Sequence, residues 1–319
     1  MGYVAGEKIL DDEYNTFVNS SSSPYGYNHF AGTGSGAYGL GQTHIDTIGA
    51  GDTILASHWN TLFTGMDNIG NHTNDTLTTR AQVSAGDSIA IKAAVEADLA
   101  TLAASVAAGC TSATALTTSS ALQTVTTASE GWDTSATQEV SVTFANADKM
   151  RHFFNAGGKV RVTVGTTQAS TNPKDQAFID LGTALGNIDI GAQSTTRSGS
   201  GESLTTNGLA NGFHDLTTSY TVLIKLTSDN ASYTSNTVEI AAKLDAAVGS
   251  ATVMTIRMVA TDPAADTQYT SPNTSGVPAA AKDTPRMVTT LFTLDPNTSE
   301  GLATGHAPSS TATVSNTVV

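Results

Sequence analysis

The sequence predicts an α+β protein, mainly β, in which a small helical N-terminal repeat region is followed by an antiparallel β-sandwich. Apolar residues recur at helical spacing in the N-terminal third. Further along the chain they alternate with polar residues in short runs, which Gly, Asn, Asp and Ser turns separate. We therefore expect a helical docking region (1–109), a Ser/Thr/Ala-rich linker (110–137), a β-sandwich domain (138–295) and an extended tail (296–319).

An internal repeat organises the N-terminal region. Gly, an acidic residue, Ile-Leu, an aromatic residue, Asn-Thr and an apolar residue recur at the same offsets in residues 5–17 and 50–62, and a weaker third copy starts at Ala85. Asp11 and Ser57 are suitable N-cap residues, so each copy predicts a short extended piece that leads into a capped helix. Such small helices must pack on each other, on the rest of the chain or on another subunit.

Aromatic side chains are concentrated in this region and predict an interface. Trp59 and Met66 lie on one stripe of the second predicted helix. The segment 20–41 is rich in Ser, Gly and Tyr, which predicts a loop. Because exposing its aromatic side chains to water would be unfavourable, we expect the segment to lie against a neighbouring subunit. The predicted assembly residues are Tyr14, Phe17, Tyr25, Tyr27, Tyr38, Trp59, Leu62, Phe63 and Met66.

The remaining elements follow from periodicity. Apolar residues at helical spacing and a high Ala content predict a helix over 89–106. Period-two alternation predicts strands. Their approximate ranges are 140–144, 160–164, 222–226, 238–242, 253–258 and 288–294. One helix, residues 147–154, is expected to interrupt the strands.

The most distinctive local motif ends that helix. Phe153 and Phe154 are aromatic residues expected to be buried, and the sequence from Asn155 to Gly158 is expected to end the helix. Gly157 and Gly158 supply backbone angles that other residues resist, and the chain then enters a strand.

Composition and charge exclude several functional classes. Charged residues make up only 13% of the chain and the formal net charge is −14, with 14 scattered Lys and Arg residues. A direct nucleic-acid ligand is disfavoured, because phosphates require clustered cations. No run approaches the roughly 20 apolar residues that span a bilayer, which disfavours a membrane partner. The N-terminal sequence lacks a signal-peptide pattern, which predicts synthesis in a cytoplasm.

Weak chemical motifs favour structural interpretations. A GxGxxG pattern occurs at Gly34, Gly36 and Gly39, but a dinucleotide site needs it between a strand and a helix, so a turn is favoured. The single cysteine, Cys110, excludes an intramolecular disulfide, and a small buried or idle thiol is favoured over a nucleophile.

Metal binding is likewise the less favoured interpretation of two residue sets. Four histidines recur at intervals of 14 or 15 residues, without the i, i+4 pair that a helical metal site prefers; they are His29, His44, His58 and His72. A calcium loop of Asp262, Asp266 and Asn273 is conceivable, but solvated turn residues are favoured. We predict no cofactor and no metal.

Several of these stretches resemble a family of structural proteins of tailed phages, especially marine and cyanophage-type myoviruses, whose members are described as virion structural or tail-fibre proteins. The repeated Gly-acidic-x-Ile helix starts carry the resemblance together with residues 38–42, 151–158, 216–220 and 233–238; the stretch 151–158 is the most specific. The resemblance implies a virion protein that is made in the host cytoplasm and assembles with other virion proteins. It implies no catalytic residues.

The predicted function is therefore a structural component of a tailed-phage virion, a fibre or adaptor at the tail or neck. A homo-oligomer, a trimer or hexamer, is expected. A capsid decoration protein and a module that binds host-surface polysaccharide through its sandwich loops are the alternatives. An enzyme is disfavoured, because the sequence offers no nucleophile, base and orienting group together.

Overall fold

The chain divides into a helical unit and a β unit. The computed structural model describes residues 11–23, 25–31, 43–73, 75–85, 92–108, 116–127, 132, 134–167, 173–231, 233–263, 285–296 and 316–318. The helical unit contains residues 1–117, 147–158 and 295–307, and the β unit contains residues 118–146, 159–294 and 308–319.

The described part of the helical unit contains five helices. They are α1 (Asp11–Asn19), α2 (Tyr27–Ala31), α3 (Ala56–Thr73), α4 (Lys92–Ala107) and α5 (Ala147–Asn155). Three acidic residues occupy the first turn of α1, where they interact favourably with the positive end of the helix dipole. The apolar stripes of α1, α3 and α4 meet in one hydrophobic cluster, which also includes Ala156 after α5. The helices predicted over 147–154 and 89–106 correspond to α5 and α4.

The β unit contains two antiparallel sheets. The first has the strand order β1-β11-β4-β5-β6, and β2 also pairs with β11. Its strands are β1 (Thr117–Thr118), β2 (Gln123–Thr126), β4 (Lys159–Thr167), β5 (Asn187–Ile190), β6 (Thr195–Arg197) and β11 (Arg286–Asp295). The second has the order β12-β3-β10-β9-β8-β7. Its strands are β3 (Ser135–Thr143), β7 (Ser203–Asn207), β8 (Thr221–Thr227), β9 (Thr237–Leu244), β10 (Val253–Thr261) and β12 (Asn316–Val318).

Alternating side chains join the two sheets into a sandwich. Every second residue of β10 is buried, as period-two strands require. The fully buried Gln138 on β3 links the sheets: its Nε2 donates to the Met287 carbonyl at 2.9 Å, and its Oε1 accepts from the Thr289 hydroxyl at 2.6 Å. The predicted fold class, α+β and mainly β with an antiparallel sandwich, is confirmed.

A second helix interrupts the strands, so the prediction of a single helix there is wrong. Helix α6 (Pro173–Leu185) packs on β4, β8 and β9 and buries Phe178 and Leu181. The approach to β4 is close, because a Cβ at Gly182 would lie 3.1 Å from the Val164 carbonyl oxygen. A 3-10 helix, Phe213–Asp215, follows β7.

The boundaries expected from the sequence also differ from the structure at two places. The stretch 110–137, expected to be a linker, contains β1, β2 and the start of β3, because β-branched threonines suit a half-buried strand. The tail, expected to be extended along a partner or loose, includes β12, which pairs with β3 of the same chain.

Candidate functional site

Most of the side chains predicted to form an assembly interface lie in the core of the helical unit. Trp59 is at its centre, with ring centroids 5.4 Å from Tyr14, 5.9 Å from Phe17 and 5.8 Å from Phe63. Seven of the nine predicted residues are at most 3% exposed; they are Tyr14, Phe17, Tyr27, Trp59, Leu62, Phe63 and Met66.

This placement corrects the predicted docking role of those seven side chains. A side chain that its own unit already covers has no remaining area for a partner, so the stripes stabilise the unit itself. Burial raises the pKa of Tyr14 and of Tyr27 to about 12. Both phenols therefore stay protonated, and they donate to the carbonyls of His58 and Thr43 at 3.2 and 3.3 Å.

The two other predicted interface residues differ from this group. Tyr25 is partly buried, and its ring stacks on that of His29 with centroids 3.9 Å apart and planes 7° apart. Burial lowers the pKa of His29, which favours the neutral ring. Tyr38 lies outside the described residues.

Three asparagine side chains on the helices form hydrogen bonds to the backbone of extended segments. The sequence did not predict these contacts. The Nδ2 of Asn15 donates to the Ile48 carbonyl at 2.8 Å, while the Ile48 N–H donates back to its Oδ1 at 2.8 Å. Asn28 makes the same pair of bonds to Ile45, at 2.8 and 2.9 Å. Each side-chain amide thus makes the pair of hydrogen bonds that a residue of a neighbouring β-strand would make.

The third asparagine shows that this contact follows the sequence pattern. Asn60 binds Val83 through two bonds of 3.0 and 2.9 Å. Asn15 and Asn60 hold matching positions in the two copies of the repeat. Ile48 and Val83 are each separated by a single residue from a following Ala-Gly-Asp sequence. The helix of one copy thus holds the segment that leads into the next copy. The repeated Asn is the feature of the sequence that could have predicted this contact, although its partner lies far away along the chain.

A buried ion pair holds the segment before Val83 in the same unit. Arg80, whose side chain is fully buried, pairs with Asp98 of α4 and with Asp67 of α3. Its guanidinium carbon lies 5.3 Å from the centroid of the Phe63 ring. Asp98 also accepts bonds from the N–H and the hydroxyl of Thr78.

The predicted helix-ending motif forms a Schellman cap after α5. The N–H of Gly158 donates to the Phe153 carbonyl at 2.9 Å, and that of Gly157 donates to the Phe154 carbonyl at 3.0 Å. Gly157 has a φ of +85°, and a Cβ at Gly158 would lie 2.6 Å from the Phe153 carbonyl oxygen. Phe153, Phe154 and Asn155 are fully buried. These residues form a structural element.

His58 and Asp262, two of the residues considered as metal ligands, have structural contacts. The Nδ1 of His58 accepts from the Leu55 N–H at 3.2 Å. In the part of the chain that the structure describes, no group of three or more His, Cys, Asp or Glu is placed to hold a metal ion. Asp262 is buried against the Lys174 ammonium group, which supplies its cation. The GxGxxG glycines, Cys110, Asp266 and Asn273 lie outside the described residues, as does the side chain of His72.

The outer face of the second sheet carries a cluster of charges around Tyr220. The Tyr220 hydroxyl donates to Glu139 Oε1 at 2.5 Å, and burial together with this carboxylate raises the pKa of the phenol. The Arg257 guanidinium carbon lies 4.0 Å from the ring centroid and the Lys243 ammonium 4.5 Å from it. We call this set, with Lys225 and Glu239, the Tyr220 cluster.

Comparisons with protein-family models, with curated proteins and with solved structures returned no match. No described helix is long and apolar enough to cross a membrane.

Proposed function

We propose that the chain is a structural component of a tailed-phage virion, a fibre or adaptor at the tail or neck that assembles through protein–protein contacts. The observation that supports this function best is how the chain uses its polar side chains. The paired amides of Asn15 and Asn60, the buried Arg80 and the buried Gln138 all join distant segments of the backbone. These groups stabilise a scaffold, which is the main task of a particle protein.

The resemblance to phage structural proteins agrees with this use. The stretch 151–158, which is the most specific part of the resemblance, forms the buried end of α5 and its glycine cap. Its residues are thus suited to preserving a fold. The alternatives of a capsid decoration protein and of a module that binds host-surface polysaccharide stay open.

The test is the copy number of the protein in purified particles, measured by quantitative mass spectrometry against the major capsid protein. We expect a few to a few dozen copies per particle, as for a tail or neck component. Hundreds of copies would instead assign it to the capsid lattice, and its absence from the particle would refute a structural role.

A further inference from the structure

We propose that the Tyr220 cluster is a docking surface for the acidic helical unit of a second copy of this chain. This inference rests on the proposed assembly function and specifies one contact within it. The copies would be arranged head to tail, so that the sheet face of one copy binds the helical unit of the next.

The first support is the local charge of the sheet face. The strands of the second sheet carry three cations, on Lys225, Lys243 and Arg257, against two carboxylates, on Glu139 and Glu239. The chain as a whole has a net charge of −14. The strand residues of this face therefore have a net charge of +1, on a protein that is negative as a whole.

The second support is that the carboxylates of the face are engaged with groups other than Lys243. Glu139 accepts the bond from Tyr220, and Glu239 lies 3.7 Å from both Lys225 and Arg257. Among the described residues, no carboxylate lies within ion-pair distance of Lys243. The Lys225 and Arg257 side chains are 35% and 30% exposed, so the cations can reach a partner.

The third support is the charge of the proposed occupant. The helical unit, residues 1–117, 147–158 and 295–307, contains 14 acidic and five basic residues. Of the bases that the structure describes there, Arg80, Lys92 and Arg151 are held in ion pairs. Within the described part of the unit, four exposed carboxylates have no cation within ion-pair distance; they are Asp12, Asp46, Asp52 and Glu96.

The symmetry of such a contact suits a fibre or adaptor. Two different surfaces meet, so the contact is heterologous and repeats into a ring or a filament. Because screening is strong beyond about 8 Å at physiological salt, only closely apposed charges contribute there and association should weaken as salt rises. Complementary charges also fix register more than they raise affinity.

The experiment is sedimentation velocity of the full chain over a range of concentrations at low and at physiological salt. We expect the wild type to form larger species at low salt, and Lys243→Ala to weaken this association at least about tenfold, a factor that corresponds to about 1.4 kcal/mol. Lys159→Ala, on β4 of the first sheet, makes the same change in net charge and should leave association unchanged.

A complementation mixture tests the head-to-tail arrangement. The double variant Asp46→Asn/Asp52→Asn should associate as poorly as Lys243→Ala. An equimolar mixture of these two variants should still form a dimer, because each retains the surface that the other lacks. Far-UV circular dichroism checks that every variant is folded.

Three outcomes would overturn the proposal. They are a wild type that stays monomeric at low salt, equal weakening by Lys159→Ala and Lys243→Ala, and binding of an acidic polysaccharide such as alginate through Lys243 without self-association. A monomeric protein that is nevertheless found in purified particles would refute this contact and leave the proposed virion role intact.

Discussion

Replacement of Asn15 by alanine should destabilise the helical unit by about 2 kcal/mol. Two hydrogen bonds are lost together, each with a net value of about 1 kcal/mol, and the N–H and carbonyl of Ile48 lose their partner. Because the contact is only part-buried, water can replace some of that loss, which keeps the expected range at about 1 to 3 kcal/mol. Asn15→Asp should cost at least as much, since it puts a carboxylate oxygen beside the Ile48 carbonyl.

The position of the tryptophans provides a clean assay. The chain has two, with Trp59 in the helical unit and Trp132 in the β unit. In a Trp132→Phe background, urea unfolding followed by fluorescence therefore reports the helical unit alone. Trp59 lies in the hydrophobic core of the helical unit, so its emission should change when that unit unfolds.

The neighbouring Thr16 is the matched control on the same helix. Its hydroxyl donates to the Asp12 carbonyl within α1 and is exposed, so Thr16→Ala should change the unfolding free energy by less than about 0.5 kcal/mol. Equal unfolding free energies for Asn15→Ala and Thr16→Ala would refute the structural role of the asparagine contact. Asn60→Ala should repeat the result for Asn15.

Three further predictions concern other parts of the chain. Gln138→Ala should cost about 3 kcal/mol in urea unfolding followed at Trp132, because it leaves a cavity and unpaired polar atoms between the sheets; the control Thr290→Ala, on the outer face, should cost far less. In thermal unfolding, Gly157→Ala should cost about 1 to 2 kcal/mol because of its positive φ, whereas Gly249→Ala, with open space around it, should be nearly neutral. Burial opposes ionisation of Asp245, but hydrogen bonds from the backbone and a hydroxyl lower the pKa of its carboxyl overall. The ionised carboxyl therefore stabilises the fold above its unfolded-state pKa, and this stabilisation is lost as pH falls through its folded-state pKa. Asp245→Asn should accordingly reduce the fall in melting temperature between about pH 5 and about pH 2.5.

Strand prediction succeeded where a single residue pattern decides the structure. The alternation at 160–164 and 253–258 fixes which face of β4 and of β10 is buried, whatever the partner strand is. The short strand β7 has no such pattern, because all five of its residues are exposed. Strands of that kind follow from pairing with a neighbour, which one sequence does not reveal.

Helix α6 was missed although its sequence contains a usable signal. Pro173 stands at the first position, where its missing N–H costs nothing, and Phe178, Leu181 and Leu185 follow at i, i+3 and i+7. Gly182 and Thr183 weaken the helical propensity, and burial on several sides obscures the stripe. The close approach to β4 explains the glycine, but only once the strand is in place.

The aromatic stripes show a different limit of sequence reasoning. Helical spacing predicts that Trp59 and Met66 must be covered, and they are, at 2% and 0% exposure. It does not say whether the covering surface belongs to the same chain. The asparagine contacts have the same limit, since 33 residues separate Asn15 from Ile48.

With Tyr14, Trp59 and Phe63 buried internally, the described part of the chain has little apolar surface for assembly. Among the described residues the exposed large hydrophobic side chains are Leu55 and Leu204, at 52% and 42% exposure. Covering the exposed part of each contributes about 1 kcal/mol, whereas association costs at least about 4 kcal/mol in lost freedom of motion. A contact made by the described surfaces must therefore depend on polar and charged groups and should be weak in isolation. Such a contact becomes strong only when several are made together, because each contact raises the effective concentration for the next. A particle that holds several copies side by side provides that condition.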